Sequence, residues 1–342
     1  MDEEVQTRGV LVIGGSAGAV PPLRMLLDGL GPDLKQPVIV LLHMPANGMG
    51  ILSTVTAASP HLPVSAAIEG IAPEPGHVYV ATPDRHLLLV DGRFRLGNGP
   101  RENLARPAID PLFRSVAVSY GPRAVAVLLS GMLDDGVSGL DAIKRCGGVA
   151  VAQDPADALA PGMPAAAVAK IASLDLVARA EAMPALLQDL LDEPAGWPVQ
   201  VPEDIMLEVS IAAGDIGNTK QLGPCVRPSS MTCPACGGVM SEMTGQIPLR
   251  YRCQVGHAMT AEYMASKQED AVDEAIRVAL RVIEERAQLV SRMAEENRVA
   301  GRVALTESYE QRAEEYRRYA ETLRVAVLSS LKAPEERQPE PG

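Results

Sequence analysis

Aromatic residues are scarce in this 342-residue chain: two Phe, one Trp and seven Tyr stand against 47% hydrophobic residues. An aliphatic core of Val, Leu, Ile and Ala is therefore expected, as is common in α/β proteins. Basic residues are also short, with 31 Lys and Arg against 43 Asp and Glu and a net charge of −12. That balance argues against a nucleic-acid partner, because neutralising phosphates needs clustered cations. No apolar run approaches the ~20 residues that span a bilayer, so no membrane insertion is expected. A basic start followed by an apolar stretch is missing too, since Asp2, Glu3 and Glu4 open the chain, and the expected location is cytoplasmic. Only five cysteines occur. In a reducing compartment their spacing speaks for metal or redox chemistry before disulfides.

What is present divides the chain. From about residue 8 to 192, apolar runs at Val10–Ile13, Val38–Leu42, Val78–Ala81, Leu87–Val90, Ala124–Leu129 and Val149–Gln153 alternate with helical stretches near 19–30, 107–119, 137–145, 159–170 and 182–192. Several runs lack in/out alternation, which suits strands covered on both faces. The expectation is a doubly wound α/β catalytic domain over 1–192, with a mostly parallel sheet and flanking helices. Residues 193–232, rich in Pro and Gly with one short mixed segment near Ile205–Ala212, read as a linker. A cysteine-containing module follows at 233–260. Over 261–332 two stripes recur at helical spacing, Val272, Ile276, Leu280, Ile283, Ala287, Val290 and Tyr309, Ala313, Tyr316, Ala320, Leu323, Val327, separated near Gly301. They predict a helical hairpin whose stripes pack on each other or in a homodimer. The Pro- and Glu-rich 333–342 is expected to be disordered.

The turn Gly14-Gly15-Ser16-Ala17-Gly18 follows the first apolar run. It fits a dinucleotide fingerprint poorly, since Ser16 stands where a glycine is wanted and the second strand ends in His43 rather than an acidic residue. It does match G-x-S-x-G, where small neighbours let a serine expose its hydroxyl on a tight strand-to-helix turn. Loops at the carboxyl ends of adjacent parallel strands converge, so Ser16, His43 and a carboxylate from Asp134-Asp135 are placed to meet. A hydroxyl to attack, an imidazole to take its proton and a carboxylate to orient the imidazole are what acyl transfer needs. Arg106 and Asp110 read as helix capping before substrate contact, Asp84-Arg85-His86 as a hairpin turn, His61 and His77 as surface residues, and Cys146 as core.

Six segments stand in order along this region: VIGGSAGA, LLHMPANG, VYVATPDRHLLL, RPAIDPLFRSVA, LLSGMLDDGVSGLDAIK and AQDPADALAPGMPAAA. In sequence and spacing they resemble the catalytic domain of the chemotaxis protein-glutamate methylesterase family. The resemblance implies that Ser16 is the nucleophile, His43 the base and Asp135, rather than Asp134, the orienting acid, with amides at Ala17 and Met132 as oxyanion donors. It implies hydrolysis of glutamate methyl esters on a methylated chemoreceptor, and deamidation of glutamine through the same acyl intermediate, with no catalytic cofactor. Members usually carry a receiver domain ahead of the esterase. Here the serine comes at residue 16, so a stand-alone catalytic domain is expected, and the turn reads Ser-Ala-Gly where many members have Ser-Thr-Gly.

Cys233, Cys236, Cys253 and His257 have the spacing C-x2-C-x16-C-x3-H. Two short chelating pairs on separate turns suit a tetrahedral structural zinc in a zinc-ribbon-like module, with strands either side of Gly245. A thioredoxin-like CxxC is the weaker reading, because no βαβ pattern surrounds it. Cys225 is a spare thiol or a substitute ligand. Against the esterase stands a scaffold or signalling adaptor that keeps the fold and binds partners through the module and hairpin.

Overall fold

The computed structural model describes residues 7–43, 50–215, 223 and 225–330, the last four of these in backbone only. Residues 44–48 of the second family segment, the Val327 side chain and the expected disordered tail at 333–342 lie outside the described residues. In chain order the first elements are β1 (Val10–Gly15), α1 (Val20–Leu30), β2 (Val38–Leu42), α2 (Ile51–Ala58), β3 (Val64–Ala66), β4 (Val78–Val80), β5 (His86–Val90) and β6 (Arg93–Gly97). There follow α3 (Ile109–Tyr120), β7 (Ala124–Leu128), α4 (Val137–Arg145), β8 (Val149–Gln153), α5 (Gly162–Lys170), β9 (Leu176–Ala178), α6 (Met183–Asp192) and α7 (Glu203–Ala213). Last come β10 (Val226–Thr232), β11 (Val239–Met243), β12 (Arg250–Cys253), β13 (Ala258–Thr260), α8 (Ala261–Val299) and α9 (Val303–Ser330).

Seven strands form one sheet in the order β3-β4-β2-β1-β7-β8-β9, and each neighbouring pair is parallel. Alternate strand residues serve opposite faces. Val10, Val12, Ile39 and Leu41 pack with Ile109, Leu112 and Phe113 of α3, while Leu11, Ile13, Val38 and Val40 pack with Leu23, Leu26 and Leu27 of α1. Both faces are covered, which is why these runs are apolar throughout and lack alternation. Each fully buried Leu, Ile or Val side chain contributes roughly 1.5–3 kcal/mol.

Two expectations are corrected. The run at Leu87–Val90 does not join the parallel sheet. It pairs antiparallel with β6 around Asp91-Gly92, the two-residue turn that favours a hairpin. The second concerns 193–232, where the described residues include a helix packed on the core and not irregular chain alone. Its proline at 202 and glycine at 214 are the start and stop of α7: Pro202 is the N-cap, and Gly214, at φ 89°, closes the last turn in the left-handed region. Buried Ile205 joins the core beneath α3, Ala212 packs on Leu88, and Ile211 packs on Met243 of β11. α7 therefore ties the parallel-sheet region to the cysteine module.

Strands β10-β11-β12-β13 form an antiparallel sheet, with β11 and β12 flanking Gly245. Residues 1–264 make one compact unit, so the expected boundaries at 192 and 232 fall inside it. A buried seam joins its parts. Arg250 lies 2.8 Å from Glu102 and 2.6 Å from Glu208, Arg252 lies 3.3 Å and 3.2 Å from the same two carboxylates, and Arg114 lies 3.0 Å from Glu208. All five side chains are at most 2% exposed.

The second unit, residues 265–342, contains most of α8 and all of α9. The two run antiparallel with Ala287, Ala294, Ala313 and Ala320 buried, Arg324 paired with Glu284 at 2.6 Å and Arg286 stacked over Tyr316. Val272, at the head of the first expected stripe, is 57% exposed.

Candidate active site

β1 is the central strand at which the chain reverses direction across the sheet, with β2 on one side and β7 on the other. The crevice at such a switch point is where open α/β sheets place their sites. Ser16 is the first residue beyond β1, its N–H donating to Ser130 O at 2.9 Å just beyond β7. Ser130 Oγ donates to Ala17 O at 2.8 Å and accepts from Ala160 N at 2.9 Å, locking the serine turn to the loop before α5. A Cβ on Gly131 would stand 3.0 Å from Ser16 Cβ and 1.9 Å from Met163 Sδ, so only glycine lets this loop pass so close behind the serine. Beside the turn, the large apolar side chains of Met132 and Leu159 are exposed. Leu133 holds φ 59°, an unfavourable conformation for a leucine and a strain of the kind found at functional loops.

His43 is the first residue beyond β2, and its N–H donates to Gly15 O at 3.0 Å, so it sits level with Ser16 across the strand pair. Its Nε2 approaches Asp135 Oδ2 at 3.2 Å without the alignment of a hydrogen bond. Asp135 is almost fully buried and caps helix α3, accepting from Ile109 N at 2.8 Å. Asn103 Nδ2 donates to its other oxygen at 2.9 Å. Burial alone would push the Asp135 carboxyl up. The His43 ring beside it, the Ile109 amide and Asn103 outweigh that and hold it well below the usual carboxylate range.

Asp134 faces elsewhere, toward Thr260 Oγ1 at 2.6 Å and Lys170 Nζ at 2.9 Å, so of the two neighbouring carboxylates only Asp135 reaches the imidazole. Asp110 caps, but the helix it caps is α4: it accepts from Gly136 N at 3.0 Å and Gly139 N at 2.7 Å. Burial and the neighbouring Asp135 charge push its carboxyl well above the usual range. Arg106 pairs with Asp84 at 2.8 Å. His86 is not in a turn but buried in β5, with Nε2 2.9 Å from Pro100 O. His61 and His77 have partners in Asp28 and Ser65. Cys146 is buried, and burial raises its thiol to about 11, which leaves it unreactive. Sequence reasoning missed Asn103 and Ser130; neither has a spacing signature, since each acts through a chain segment distant in sequence.

Cys233, Cys236, Cys253 and His257 converge with all four ligand atoms within 4.8 Å of one another. Cys236 and Cys253 Sγ are 3.8 Å apart, and His257 Nδ1 lies 3.8 Å from Cys233 Sγ and 3.6 Å from Cys253 Sγ. Tetrahedral thiolates at about 2.3 Å from a zinc ion would be separated by about 3.8 Å, so the four residues fit such an ion. Cys225 is outside this group.

The parallel sheet and its switch-point crevice define a doubly wound α/β domain carrying the three groups that serine hydrolases use. Residues 11–187, just over half of the chain, match the family described as CheB methylesterase, and the chain belongs to that family. It is 38% identical over 181 residues to a protein-glutamate methylesterase/protein-glutamine glutaminase of Anaeromyxobacter dehalogenans, covering 53% of each protein. A relative of the same description from Methanosarcina mazei is 35% identical over 170 residues, 47% of this chain and 46% of that one. The chain thus spans about half the length of these curated relatives. The crystal structure of the Thermotoga maritima CheB methylesterase catalytic domain superposes with a TM-score of 0.51 at 31% identity, covering 54% of this chain and all of that one. The Cys/His module and both long helices lie beyond the matched residues.

Proposed function

We propose that the chain hydrolyses methyl esters of glutamate side chains on chemoreceptor-like proteins, in the cytoplasm. Ser16 is the nucleophile, His43 the base and Asp135 the orienting acid. The observation that carries this reading is the buried, ionised Asp135 facing His43 Nε2 at 3.2 Å, one strand from Ser16. With Nε2 toward the acid, Nδ1 is the ring nitrogen that takes the serine proton. Ser16 Oγ attacks the ester carbonyl, and the Ala17 and Met132 amides, which have no acceptor among the described residues, receive the developing oxyanion. Methanol leaves with the proton from His43. Water, deprotonated by the same ring, then splits the acyl-enzyme to free glutamate. Glutamine deamidation follows the same path with ammonia leaving. Exposed Met132 and Leu159 beside the serine suit a protein surface as substrate.

A structural zinc held by Cys233, Cys236, Cys253 and His257 is part of the proposal. Four protein ligands leave no open position for water, so the ion would stabilise the module, not catalyse. No helix among the described residues is long and apolar enough to cross a membrane. The long helices would join two copies through the half-exposed stripe on α8. The scaffold alternative gains no specific support from the site.

The test is methanol release from a methylated chemoreceptor fragment by the full chain beside Ser16→Ala. Release by the parent, abolished in the folded variant, is expected. Release that persists in the variant would overturn the assignment of the nucleophile.

A further inference from the structure

The edge strand of the Cys/His module is not free. Asn103 N–H donates to Ala258 O at 2.9 Å and Ala258 N–H to Arg101 O at 3.3 Å, so residues 101–103 join β13 through a single parallel bridge, Glu102 to Ala258. Thr260 N–H then donates to the Asn103 side-chain oxygen at 3.1 Å. The amide group at the other end of the same side chain donates to Asp135. Asn103 is 4% exposed and holds φ 48°, a left-handed conformation that Asn and Asp tolerate better than other non-glycine residues. Neighbouring Glu102 is clamped by Arg250 and Arg252 of β12. An unbroken line of contacts therefore runs from β13, directly after His257, through one side chain to the carboxylate that faces His43.

We infer that Asn103, gripped by β13 of the Cys/His module, is a positioning residue for Asp135, so that the module is a working part of the hydrolase. This inference rests on the role given to Asp135 above. The amide performs two tasks at once: its oxygen fixes the side chain to the module, and its nitrogen fixes the oxygen of Asp135 that His43 does not face. A carboxylate held on both oxygens cannot rotate away from the ring. A module that loosens when its ligand set is broken releases β13, then Asn103, then the acid.

The experiment uses the full chain loaded with zinc and labelled with 15N-histidine, in the parent and in Asn103→Asp and Asn103→Ala. Asn103→Asp keeps an acceptor for Thr260 N–H and the tolerance of φ 48°, and exchanges the amide donor, which faces Asp135 at 2.9 Å and Asp110 at 3.4 Å, for a further carboxyl. Asn103→Ala removes the donor without adding a charge, so a displacement shared by both variants reports the lost donor. Three quantities are read at pH 8: zinc content with melting temperature, the 15N shift of His43 Nε2 assigned with His43→Gln, and the rate at which a small fluorophosphonate labels Ser16. That probe needs no receptor docking. Expected are unchanged zinc content, a displaced His43 resonance and labelling slowed by about 100-fold, the scale of a misplaced catalytic group. Stripping zinc with a chelator should displace the His43 resonance in the same direction. A His43 shift and labelling rate in Asn103→Asp equal to those of the parent would overturn the positioning role. An unmoved resonance in zinc-free protein would overturn the share given to the module. If the parent serine proves inert while the resonance still moves, positioning stands and the hydrolase reading falls.

Discussion

The crevice at the sheet end and the charged seam beside it are built from the same residue types and do opposite things with them. At the crevice one carboxylate, Asp135, is buried against neutral donors and a partly exposed histidine, so charge and proton have somewhere to go. In the seam two carboxylates are enclosed by three guanidinium groups, all essentially buried, and both carboxyls are held below the usual range. Burial by itself raises a carboxyl; what decides its state is the partner supplied. A partner that can give up its charge makes a site, whereas one that cannot makes a joint.

The comparison breaks first, and by the largest amount, at Asp135→Asn. The shape is kept, but the amide cannot stabilise the imidazolium and favours the wrong tautomer, so kcat for methanol release should fall by about 10⁴-fold, as in other triads. A loss under tenfold would mean that His43 is oriented by something else.

Next in size is the seam. Glu208→Gln removes one of two negative charges facing three buried positive ones. Truncating one side of a buried pair costs roughly 3–5 kcal/mol, to be measured by urea denaturation. Arg252→Met should cost clearly less, because it removes the excess positive charge and the residues left behind balance. Equal losses would refute the bookkeeping of charge on which the joint is read. Glu102 and Glu208 are both held below the usual range by the three arginines, against the upward push of burial. Their stabilisation is therefore complete above the unfolded carboxyl pKa of about 4.3 and is lost as pH falls below it.

The two regions also differ in how far they could be read from the chain. Ser16 and His43 each stand one residue past a strand, and a parallel sheet brings strand ends together, so an apolar run followed by a reactive side chain is enough to place them. Asp135 needed more, since Asp134 is adjacent: the family resemblance favours Asp135, and it is Asp135 that lies beside His43 while Asp134 faces Thr260. The seam has no such rule. Glu102, Arg114, Glu208 and the Arg250/Arg252 pair come from four distant segments, and Glu208 lies on a helix hidden among prolines and glycines that read as a linker. α7 buries residues on several sides, on Ile205, Ala212, Ile211 and Glu208, so no single apolar stripe marks it. Asn103 was invisible for the same reason: its two partners, Asp135 and Thr260, lie 32 and 157 residues away.

The smallest and sharpest test lies where the regions meet, at Asp110. Its carboxyl is buried beside the ionised Asp135 and is pushed well above the usual range, whereas the unfolded chain ionises it above about pH 3.9. A raised acid in the folded state means that folding takes up a proton, and stability at this residue therefore declines as pH rises from about 3.9 toward the folded value. Asp110→Asn copies the neutral acid: the amide oxygen can still accept from Gly136 and Gly139, and the amide nitrogen replaces the acid proton. The variant should match the parent within about 1 kcal/mol at about pH 3.9, the size of one ordinary hydrogen bond. When denaturation is repeated at higher pH, it should then gain on the parent as pH is raised above about 3.9, until the folded carboxyl of the parent itself ionises. A difference that stays flat with pH would mean that Asp110 is ionised in the fold, and that the crevice holds two adjacent negative carboxylates instead of one.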